Sequence, residues 1–389
     1  MISIKEIVEK QFNINELLSS NHLTTLLKEG SVIQDGFNSF ILLLGQKKPF
    51  KADLNAIGEN QILVYQTLYW SYLNPVSANQ CDREAENLYY YPQSFRLSRE
   101  DLCLLTRHIL GHQNSQDGHK LKLVSDHFIE FKNQFDWSQS QFQSGRLSKT
   151  VPFTFFDYQV DQFNFWLALD FAIHNKDVSG FVYCFWSGKN GYLGKTPEVL
   201  ASYENKILTT MALAGTWSNH INYSVVEDVD LKTREEHSIV VQDIVSRLGE
   251  RAQASKTYIY NVKYLNHLRT DITIKVESER HFINLVEQLH PTAALGIYPR
   301  NLQLAESFSK LELQKERAYF GSPVGFVTKN CARIYVGIRS LCWNLEDSRL
   351  SVMCGCGVTA QSELQKEWVE IMTKKNAIFK MFNLKEEAG

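Results

Sequence analysis

The stretch "RIYVGIRSLCWNL" (residues 333–345) shows the side-chain alternation of a β-strand. Alternate residues share a face, which divides the stretch into Ile334, Val336 and Ile338 on one side and Tyr335, Gly337 and Arg339 on the other. Residues 180–215 repeat the pattern in short segments separated by turns such as "KNG" (189–191). Because such segments form hairpins, these regions are predicted to be antiparallel strands.

Two helical segments lie among these strands. Residues 233–252, "TREEHSIVVQDIVSRLGERA", carry a helical pattern that ends near Gly249, and residues 363–382 carry a second one. Strands and helices do not alternate regularly along the sequence, which argues against a parallel fold of repeated βαβ units. The predicted fold class is therefore α+β with large antiparallel β-sheets.

The composition is that of a globular chain without a bias toward charged partners. The 389 residues are 44% hydrophobic with a formal net charge of −2, which gives no excess charge for nucleic acid or anionic lipid. Apolar runs such as "FILLLG" (40–45) are too short for a bilayer, and the charged N-terminal residues do not resemble a secretory signal. The seven cysteines lack metal-ligand spacing, which is typical of a reducing compartment. We expect a soluble cytoplasmic protein that binds neither nucleic acid nor membrane.

The C-terminal helical segment places charged side chains on its apolar side. At about 100° per residue, Glu367, Glu370 and Lys374 fall within about 60° of one another. They lie at or inside the face that Ile371 and Ile378 form. Ionised groups seldom occupy such a face unless they pair with one another or bind a cation.

Two interpretations of this charged cluster are open at the level of the sequence. The first is an internal ion pair between Glu370 and Lys374, four residues apart, which leaves Glu367 without a partner. The second is a Mg²⁺ site, because inward-facing carboxylates one turn apart suit a hard cation that keeps positions open for water and substrate. Glu236, at the edge of the apolar face of the earlier helical segment, could supply a further acid. His237 lies mid-face there and is interpreted as a hydrogen-bonded core residue.

Nine short segments, in their order along the chain, resemble the chorismate-binding enzyme family, which includes isochorismate, salicylate, anthranilate and aminodeoxychorismate synthases. They are "GRLSKTVPF" (145–153), "YLGKTPEVL" (192–200), "LAGTW" (213–217), "TREEH" (233–237), "NHLRT" (266–270), "LHPTAALGIYP" (289–299), "ERAYFGSPVG" (316–325), "VGIRS" (336–340) and "CGCGV…EWVEIMTK" (354–374). Each segment is weak alone, but nine in one order are specific.

The resemblance implies a fold and a division of the chain. The fold would consist of two large antiparallel β-sheets packed face to face, as in anthranilate synthase component I. Helices would surround the sheets, and the active site would lie between them. Residues 131–389 would form the chorismate-binding catalytic core. Residues 1–130, which carry little resemblance, would be the N-terminal part of the same unit.

The resemblance also implies a set of site residues. Mg²⁺ would be held by Glu236 and Glu370, with Glu367 close by. The substrate, chorismate, would be bound by Gly215 in a ring-binding loop, by His267 near the ring hydroxyl, and by Tyr319, Arg339, Lys374, Gly355 and Gly357 around its carboxylates. On this interpretation the acids hold the metal, and the glycines let the backbone approach a substrate carboxylate closely.

Two positions distinguish the reactions of the family, and both favour water as the nucleophile. Lys149 in "GRLSKTV" matches the lysine base of members that add water, where members that add ammonia resemble a glutamine. Ala214 stands where members that form aminodeoxychorismate usually carry a lysine. Glu198 in "KTPEVL" matches the general acid, a role that requires an apolar setting. The implied reaction adds water at ring C2 of chorismate and expels the C4 hydroxyl, which gives isochorismate.

Other functions remain open beside isochorismate synthase. A salicylate synthase would continue from isochorismate by eliminating pyruvate. An aminating sibling would need free ammonia or a glutaminase partner, which is not expected here. A protein of another class would bind chorismate without turnover, but Lys149 and Glu198 argue against it because binding alone requires no acid–base pair.

Three departures from the family pattern indicate a divergent member. Trp217 stands where many relatives have an arginine-containing loop, and Thr233 stands where an aspartate is usual. "CGCG" (354–357) replaces a more typical Ala-Gly-Ala-Gly. None of these departures removes a side chain that the resemblance assigns to catalysis.

Overall fold

Two ten-stranded β-sheets form the centre of the protein. The computed structural model describes residues 20–387 except 52–53, 55–56, 74–86, 112–117, 176–179, 219 and 263–264. Within those residues, every strand pairing is antiparallel except that of the last strand.

The first sheet takes its strands from all parts of the chain. Its members are β1 Glu29–Gln34, β2 Ser39–Leu44, β6 Gln93–Ser98, β7 His119–Ser125, β8 Phe153–Gln159, β9 Phe181–Ser187, β10 Asn190–Thr196, β18 Ser340–Asn344, β19 Arg349–Gly355 and β20 Leu384–Glu386. Their order across the sheet is β20-β7-β8-β19-β18-β10-β9-β1-β2-β6, and β20 pairs with β7 in parallel.

The second sheet contains the other ten strands. They are β3 Lys48–Pro49, β4 Leu63–Gln66, β5 Leu88–Tyr90, β11 Val199–Glu204, β12 Ile207–Ser218, β13 Gln253–Ala254, β14 Tyr258–Val262, β15 Leu265–Lys275, β16 Pro323–Val327 and β17 Cys331–Val336. Their order is β13-β15-β12-β11-β17-β16-β4-β5-β3, with β14 also paired to β15.

Among the described strands, the chain crosses directly from one sheet to the other at four places: β2 to β3, β5 to β6, β10 to β11 and β17 to β18. The last two crossings bear on the cavity described below. The chain passes from β10 to β11 through Pro197 and Glu198, and from β17 to β18 through residues 337–339. The interpretation of residues 333–345 as one continuous alternating stretch is therefore wrong in one respect. The alternation is interrupted at Arg339, whose φ of 51° lies outside strand geometry, and the two halves belong to different sheets.

Nine α-helices occur in the described part of the chain. They are α1 Ser20–Lys28, α2 Arg99–Leu110, α3 Phe128–Gln143, α4 Phe165–His174, α5 Leu231–Leu248, α6 Glu279–Leu289, α7 Leu302–Ser309, α8 Glu312–Lys315 and α9 Leu364–Phe382. Short 3₁₀ helices cover Tyr69–Leu73 and Val226–Asp228. The two helices predicted from the sequence are α5 and α9, and Gly249 follows the end of α5 as expected. None of the described helices has the length and apolar character of a membrane span.

Three apolar layers hold the sheets and helices together. Between the sheets, Phe155 and Tyr183 of the first sheet share a buried cluster with Phe326 and Tyr335 of the second. Helices α2, α3, α4 and α9 cover the outer face of the first sheet, and α5 and α6 cover that of the second. Burying a large side chain in such layers contributes about 2 kcal/mol. The predicted arrangement of two sheets face to face with helices outside is confirmed.

The first hundred residues contribute to both sheets. Strands β1, β2 and β6 extend the first sheet, and β3, β4 and β5 extend the second. Thus the described N-terminal residues pack into the same unit as the rest. The division of the chain at residue 130 stays a prediction.

Candidate active site

A cavity of about 700 Å³, counting the part open to solvent, lies between the sheets where the chain crosses from one to the other. Eight of the residues predicted from the sequence line it: Glu198, Gly215, Glu236, Arg339, Gly355, Gly357, Glu370 and Lys374. The apolar part of the wall was not predicted, and it includes Val151, Leu213, Leu295, Phe320, Ile338, Met353 and Ile378.

Glu198 and Arg339 lie on two of the crossing segments, which are bonded to each other. The backbone N–H of Lys195 donates to the carbonyl of Arg339 at 3.2 Å, and the N–H of Val336 donates to the carbonyl of Glu198 at 3.1 Å. The hydroxyl of Thr196 accepts from the N–H of Glu198 at 3.2 Å. The ends of strands from both sheets therefore fix the backbone of Glu198 and Arg339, whose side chains line the cavity.

Glu198 is buried and is suited to remain protonated near neutral pH. Burial raises the pKa of its carboxyl to about 7, although the positive charges of Lys149, Arg339 and Lys374 act in the opposite direction. A neutral carboxyl can donate a proton to a leaving group. The apolar setting that the sequence argument required is present.

Lys149 is completely buried at the edge of this cavity. Its Nζ donates to the carbonyl of Ala293 at 2.7 Å and lies 3.3 Å from Oε1 of Glu236. It does not itself line the cavity, but Glu236 and Ala294 do. The buried amine of Lys149 thus lies next to Glu236, beside the cavity that Glu198 lines.

Arg339, His267 and Thr216 form a hydrogen-bonded row beside the cavity. Nη2 of Arg339 lies 3.0 Å from Nε2 of His267, and Nδ1 of His267 lies 3.1 Å from the hydroxyl of Thr216. Burial lowers the pKa of His267 well below its usual value, so the ring is neutral and Nε2 accepts from the guanidinium. Burial also lowers the pKa of Arg339 to about 10, which leaves it charged at neutral pH. These hydrogen bonds hold the Arg339 guanidinium in the cavity wall, where its positive charge could bind an anionic group.

Each of the three predicted carboxylates is paired with a lysine. Glu370 lies 2.7 Å from Lys374 on α9, which is the ion pair of the first sequence interpretation. Glu236 of α5 pairs with Lys149 as described above. The expectation that Glu367 lacks a partner is wrong, because Lys232 Nζ reaches its Oε1 at 2.6 Å. Helical periodicity could not reveal this partner, since Lys232 comes from a helix over the other sheet.

Glu367 is more buried than the other two acids and does not line the cavity. Burial, with the charge of Glu370, raises the pKa of Glu367, and Lys232 opposes this. Although burial acts to lower the pKa of Lys232, the charges of Glu367, Glu236 and Glu370 raise it overall. The ammonium of Lys232 therefore lies in the field of all three carboxylates.

The donor set fits a hard divalent cation in its chemistry. Glu236 and Glu370 present carboxylate oxygens to one cavity, and these are the ligands that Mg²⁺ prefers. Among the described residues, Oε2 of Glu367 is buried and has no hydrogen-bond partner. In the lysine-paired arrangement, no three acidic, histidine or cysteine groups of the described chain are grouped closely enough to be a complete ligand set. A cation here would have to compete with the lysines.

Glycine is required at two positions of the wall. A Cβ on Gly357 would lie 2.1 Å from Oε1 of Glu236 and 3.0 Å from Nζ of Lys149. Gly215 has a φ of +74°, and a Cβ there would lie 2.6 Å from Cγ2 of Thr233. The predicted ring-binding loop is in fact a bulge within strand β12, and its close approach to the start of α5 depends on Gly215.

The three departures from the family pattern have structural accounts. Thr233 lies in the first turn of α5, where Asp230 accepts from its N–H at 3.0 Å and from its hydroxyl at 2.7 Å. Trp217 is buried edge-to-face against Tyr223. Cys354 and Cys356 are buried in the cavity wall, and burial raises the pKa of Cys354 to about 12, so this thiol is neutral.

Two predicted residues take positions beside the cavity. The ring of Tyr319 packs against Tyr192, whose hydroxyl donates to the carbonyl of Tyr319, and Tyr319 itself is not in the wall. His267 does not line the cavity but is hydrogen-bonded to two residues that do, Arg339 and Thr216. His237 is a buried core residue with Nε2 2.8 Å from the Thr270 hydroxyl, which confirms the interpretation from the sequence.

Arg317 is a residue that the sequence argument missed. Its side chain is fully buried over the ring of Tyr69, 3.6 Å from the centroid. Its guanidinium donates to the carbonyls of Val151, Leu295 and Phe320, which all belong to the cavity wall. The signal was present in "ERAYFG" (316–321), but a charged residue is expected at the surface unless a partner is known.

Comparison with known proteins places this chain in a family. A family profile described as chorismate binding enzyme matches residues 46–383. The chain belongs to the chorismate-binding enzyme family. It is 27% identical over 230 residues to isochorismate synthase MenF of Haemophilus influenzae, which covers 55% of this chain and 52% of that relative. The chain thus spans about half the length of the relatives that its sequence matches.

Solved structures share the fold at lower identity. The menaquinone-specific isochorismate synthase MenF from Escherichia coli superposes with a TM-score of 0.71 and 18% identity over 96% of this chain and 92% of that one. Anthranilate synthase component I from Streptococcus pneumoniae gives a TM-score of 0.63 and 15% identity over 90% and 89% of the two chains. The fold predicted from the resemblance is the fold of these proteins.

Proposed function

We propose that this chain is a Mg²⁺-dependent isochorismate synthase that converts chorismate to isochorismate. The observation that carries the proposal is the burial of an acid and a base, Glu198 and Lys149, at one cavity that also holds carboxylates and an arginine. Similarity to proteins named isochorismate synthase supports the choice of reaction. The six cysteines of the described residues, all free thiols, are compatible with action in the cytoplasm.

Two side chains would carry the proton transfers. Lys149 would act as the base in its uncharged form: with the hydrogen bond to the Ala293 carbonyl kept, its Nζ would have a lone pair for the proton of a water that attacks ring C2. The ring double bonds then shift, and the hydroxyl leaves C4 with the proton of Glu198. A pKa of about 7 leaves a large share of Glu198 protonated at neutral pH.

The remaining groups would bind and orient the substrate. Arg339, held by His267, and Lys374 supply positive charge for the two carboxylates. A bound Mg²⁺, held by Glu236 and Glu370 with Glu367 close by, would supply the positive charge that anchors the ring carboxylate. The apolar wall around Phe320 and Leu213 excludes water from the rest of the ring.

The test is to incubate the purified chain with chorismate and Mg²⁺, without ammonia, and to identify the products by chromatography. Isochorismate supports the proposal. Salicylate with pyruvate would instead make the protein a salicylate synthase, and an amino product that forms only with added ammonia would make it an aminating enzyme. Unchanged chorismate under all conditions would indicate binding without turnover.

A lysine variant tests the base assignment. Lys149→Ala should lower kcat by at least about 100-fold while chorismate still binds in the presence of Mg²⁺. Lys375→Ala is the matched control, because Lys375 is also a buried lysine but pairs with Glu386 away from the cavity. Equal turnover by Lys149→Ala and the control would refute the role of Lys149.

A further inference from the structure

The three carboxylates of the candidate metal site are neutralised one for one by lysines. The pairs are Glu236–Lys149, Glu370–Lys374 and Glu367–Lys232. A divalent cation that enters this cluster meets no net negative charge while all three lysines are in place as ammonium groups, and a single net negative charge when Lys149 is the uncharged base. Its binding therefore depends on whether one of the lysines can leave.

The three lysines differ in what else holds them. Lys149 Nζ also donates to the Ala293 carbonyl, and Lys374 Nζ also donates to the Gly355 carbonyl, each at 2.7 Å. Among the described residues, Lys232 Nζ has no hydrogen bond except that to Glu367. Its side chain is 35% exposed, against 1% for Lys149 and 22% for Lys374. Of the three lysines, Lys232 therefore loses the fewest hydrogen bonds when its side chain turns into solvent.

The partner of Lys232 is also the acid that most needs a positive charge. The Glu367 side chain is 1% exposed, and its Oε2 has no hydrogen-bond partner within the described chain. An unpaired buried carboxylate is costly, so Lys232 stabilises Glu367 for as long as no other cation is near. The same contact joins α5 to α9, which cover opposite sheets.

We propose that Lys232 competes with the divalent cation for Glu367 and thereby sets how tightly the cavity binds its metal. The inference rests on the proposed function, which places Mg²⁺ at these carboxylates. Without metal, the ammonium of Lys232 neutralises Glu367. With metal, the side chain turns into solvent and Glu367 supports the ion. The lysine lowers metal affinity and keeps the metal-free protein intact.

The test measures metal binding to the full chain without chorismate, with Mn²⁺ as the probe and free Mn²⁺ counted by electron paramagnetic resonance. Lys232→Met should bind Mn²⁺ on the order of 10-fold more tightly than the wild type, since one positive charge near the site is gone. Lys366→Met is the matched control: it removes the same charge from an exposed pair with Glu363 on α9. It should change affinity by less than about twofold.

A second measurement needs no variant and covers the case in which Lys232→Met does not fold. Reductive methylation of the wild-type protein, read by mass spectrometry, reports how exposed each lysine amine is. Labelling of Lys232 should rise several-fold when Mn²⁺ is added, whereas that of exposed Lys366 should stay constant. Unchanged labelling of Lys232 at saturating Mn²⁺ would overturn the exchange.

The outcomes separate this inference from the proposed function. Tighter Mn²⁺ binding by Lys232→Met, with loss of binding in a Glu236→Gln, Glu370→Gln double variant, supports both. Equal or weaker binding by Lys232→Met, beside clear binding by the wild type, overturns the inference alone. Absence of Mn²⁺ binding to the wild type and to every variant overturns the metal assignment and the inference with it.

Discussion

Nη2 of Arg339 lies 3.0 Å from Nε2 of His267, and this bond ties the segment between β17 and β18 to strand β15. The imidazole accepts from a cation that has no carboxylate partner in the described hydrogen bonds and ion pairs. Arg339 is thus held in place without being neutralised. A substrate carboxylate would meet a cation at full charge.

Replacement of His267 should therefore weaken substrate binding more than it weakens folding. In His267→Phe the guanidinium loses its acceptor, and we expect KM for chorismate to rise about 10- to 100-fold with a smaller change in kcat. His267→Gln offers an amide oxygen at a similar distance and should restore much of the loss. Steady-state kinetics of both variants measure this effect. Identical KM values for His267→Phe and the wild type would contradict the role of His267 in substrate binding.

The burial of Glu198 has a consequence for stability that depends on pH. Its pKa rises from 4.5 to about 7 on folding, so the folded state binds more protons than the unfolded state between these values. The contribution of Glu198 is most favourable below pH ~4.5 and is lost as pH rises through ~7, by roughly 3 kcal/mol in all. Glu198→Gln, which stays neutral, should gain stability relative to wild type over this interval.

Urea unfolding at pH 5 and pH 8 measures the difference between the two proteins. The wild type should lose more of its free energy of unfolding than Glu198→Gln between these values. Turnover by Glu198→Gln should meanwhile be at least about 100-fold lower, because an amide cannot protonate the leaving hydroxyl. Parallel pH dependence of stability in both proteins would show that Glu198 is not buried as described.

Gly357→Ala tests the contact between the cavity wall and the acid–base groups. The added Cβ would lie 2.1 Å from Oε1 of Glu236 and 3.0 Å from Nζ of Lys149, so both groups must move. We expect kcat/KM to fall at least about 10-fold, since misplacement of about 1 Å at a site is costly. Gly36→Ala is the control, because the nearest atom to its new Cβ would be 3.9 Å away. Similar kinetics for both variants would argue against the crowding.

Arg317→Met should destabilise the whole protein. The substitution removes the donor to three wall carbonyls. The Leu295 carbonyl keeps the Tyr69 hydroxyl as a donor, but those of Val151 and Phe320 lose their side-chain donor, at a cost of about 3 kcal/mol or more. Arg317→Lys should recover little, because an ammonium cannot reproduce the planar fork that reaches all three. Thermal unfolding measures both variants. A melting temperature within about 2 °C of wild type for Arg317→Met would contradict the assigned role.

The sequence predicted the elements better than their arrangement. Periodicity predicted both ends of α9 and the start of α5 to within two residues. The predicted segment for α5 ran to residue 252, whereas the helix ends at Leu248. It predicted strands in 333–345 but not that they belong to different sheets, because alternation reports which side chains share a face and not which sheet they face. The ion pair of Lys232 with Glu367 escaped for a related reason, since its partners are 135 residues apart.

The site residues likewise differ in how far the sequence could predict them. Glu236, Glu370 and Lys374 could be proposed from helix geometry, since their periodicity puts charge on an apolar face. For Lys149 and Glu198 the residue pattern alone favoured the surface, and only the family resemblance indicated burial, which the structure has. Arg317 carried no helical or strand signal at all. Its role depends on three chain segments that meet only in the folded protein.

The two links that carry Glu198 and Arg339 from one sheet to the other make the cavity sensitive to the spacing of the sheets. Glu198 and Arg339 each stand on a short link whose two ends are fixed in different sheets. If the sheets slide or separate by a fraction of an ångström, the proton donor and the anion-binding cation shift together. Loosening the layer around Tyr335 and Phe326, which lies close to these links, would thus slow turnover before it unfolds the protein. The catalytic rate would therefore report how well the two sheets keep their relative position.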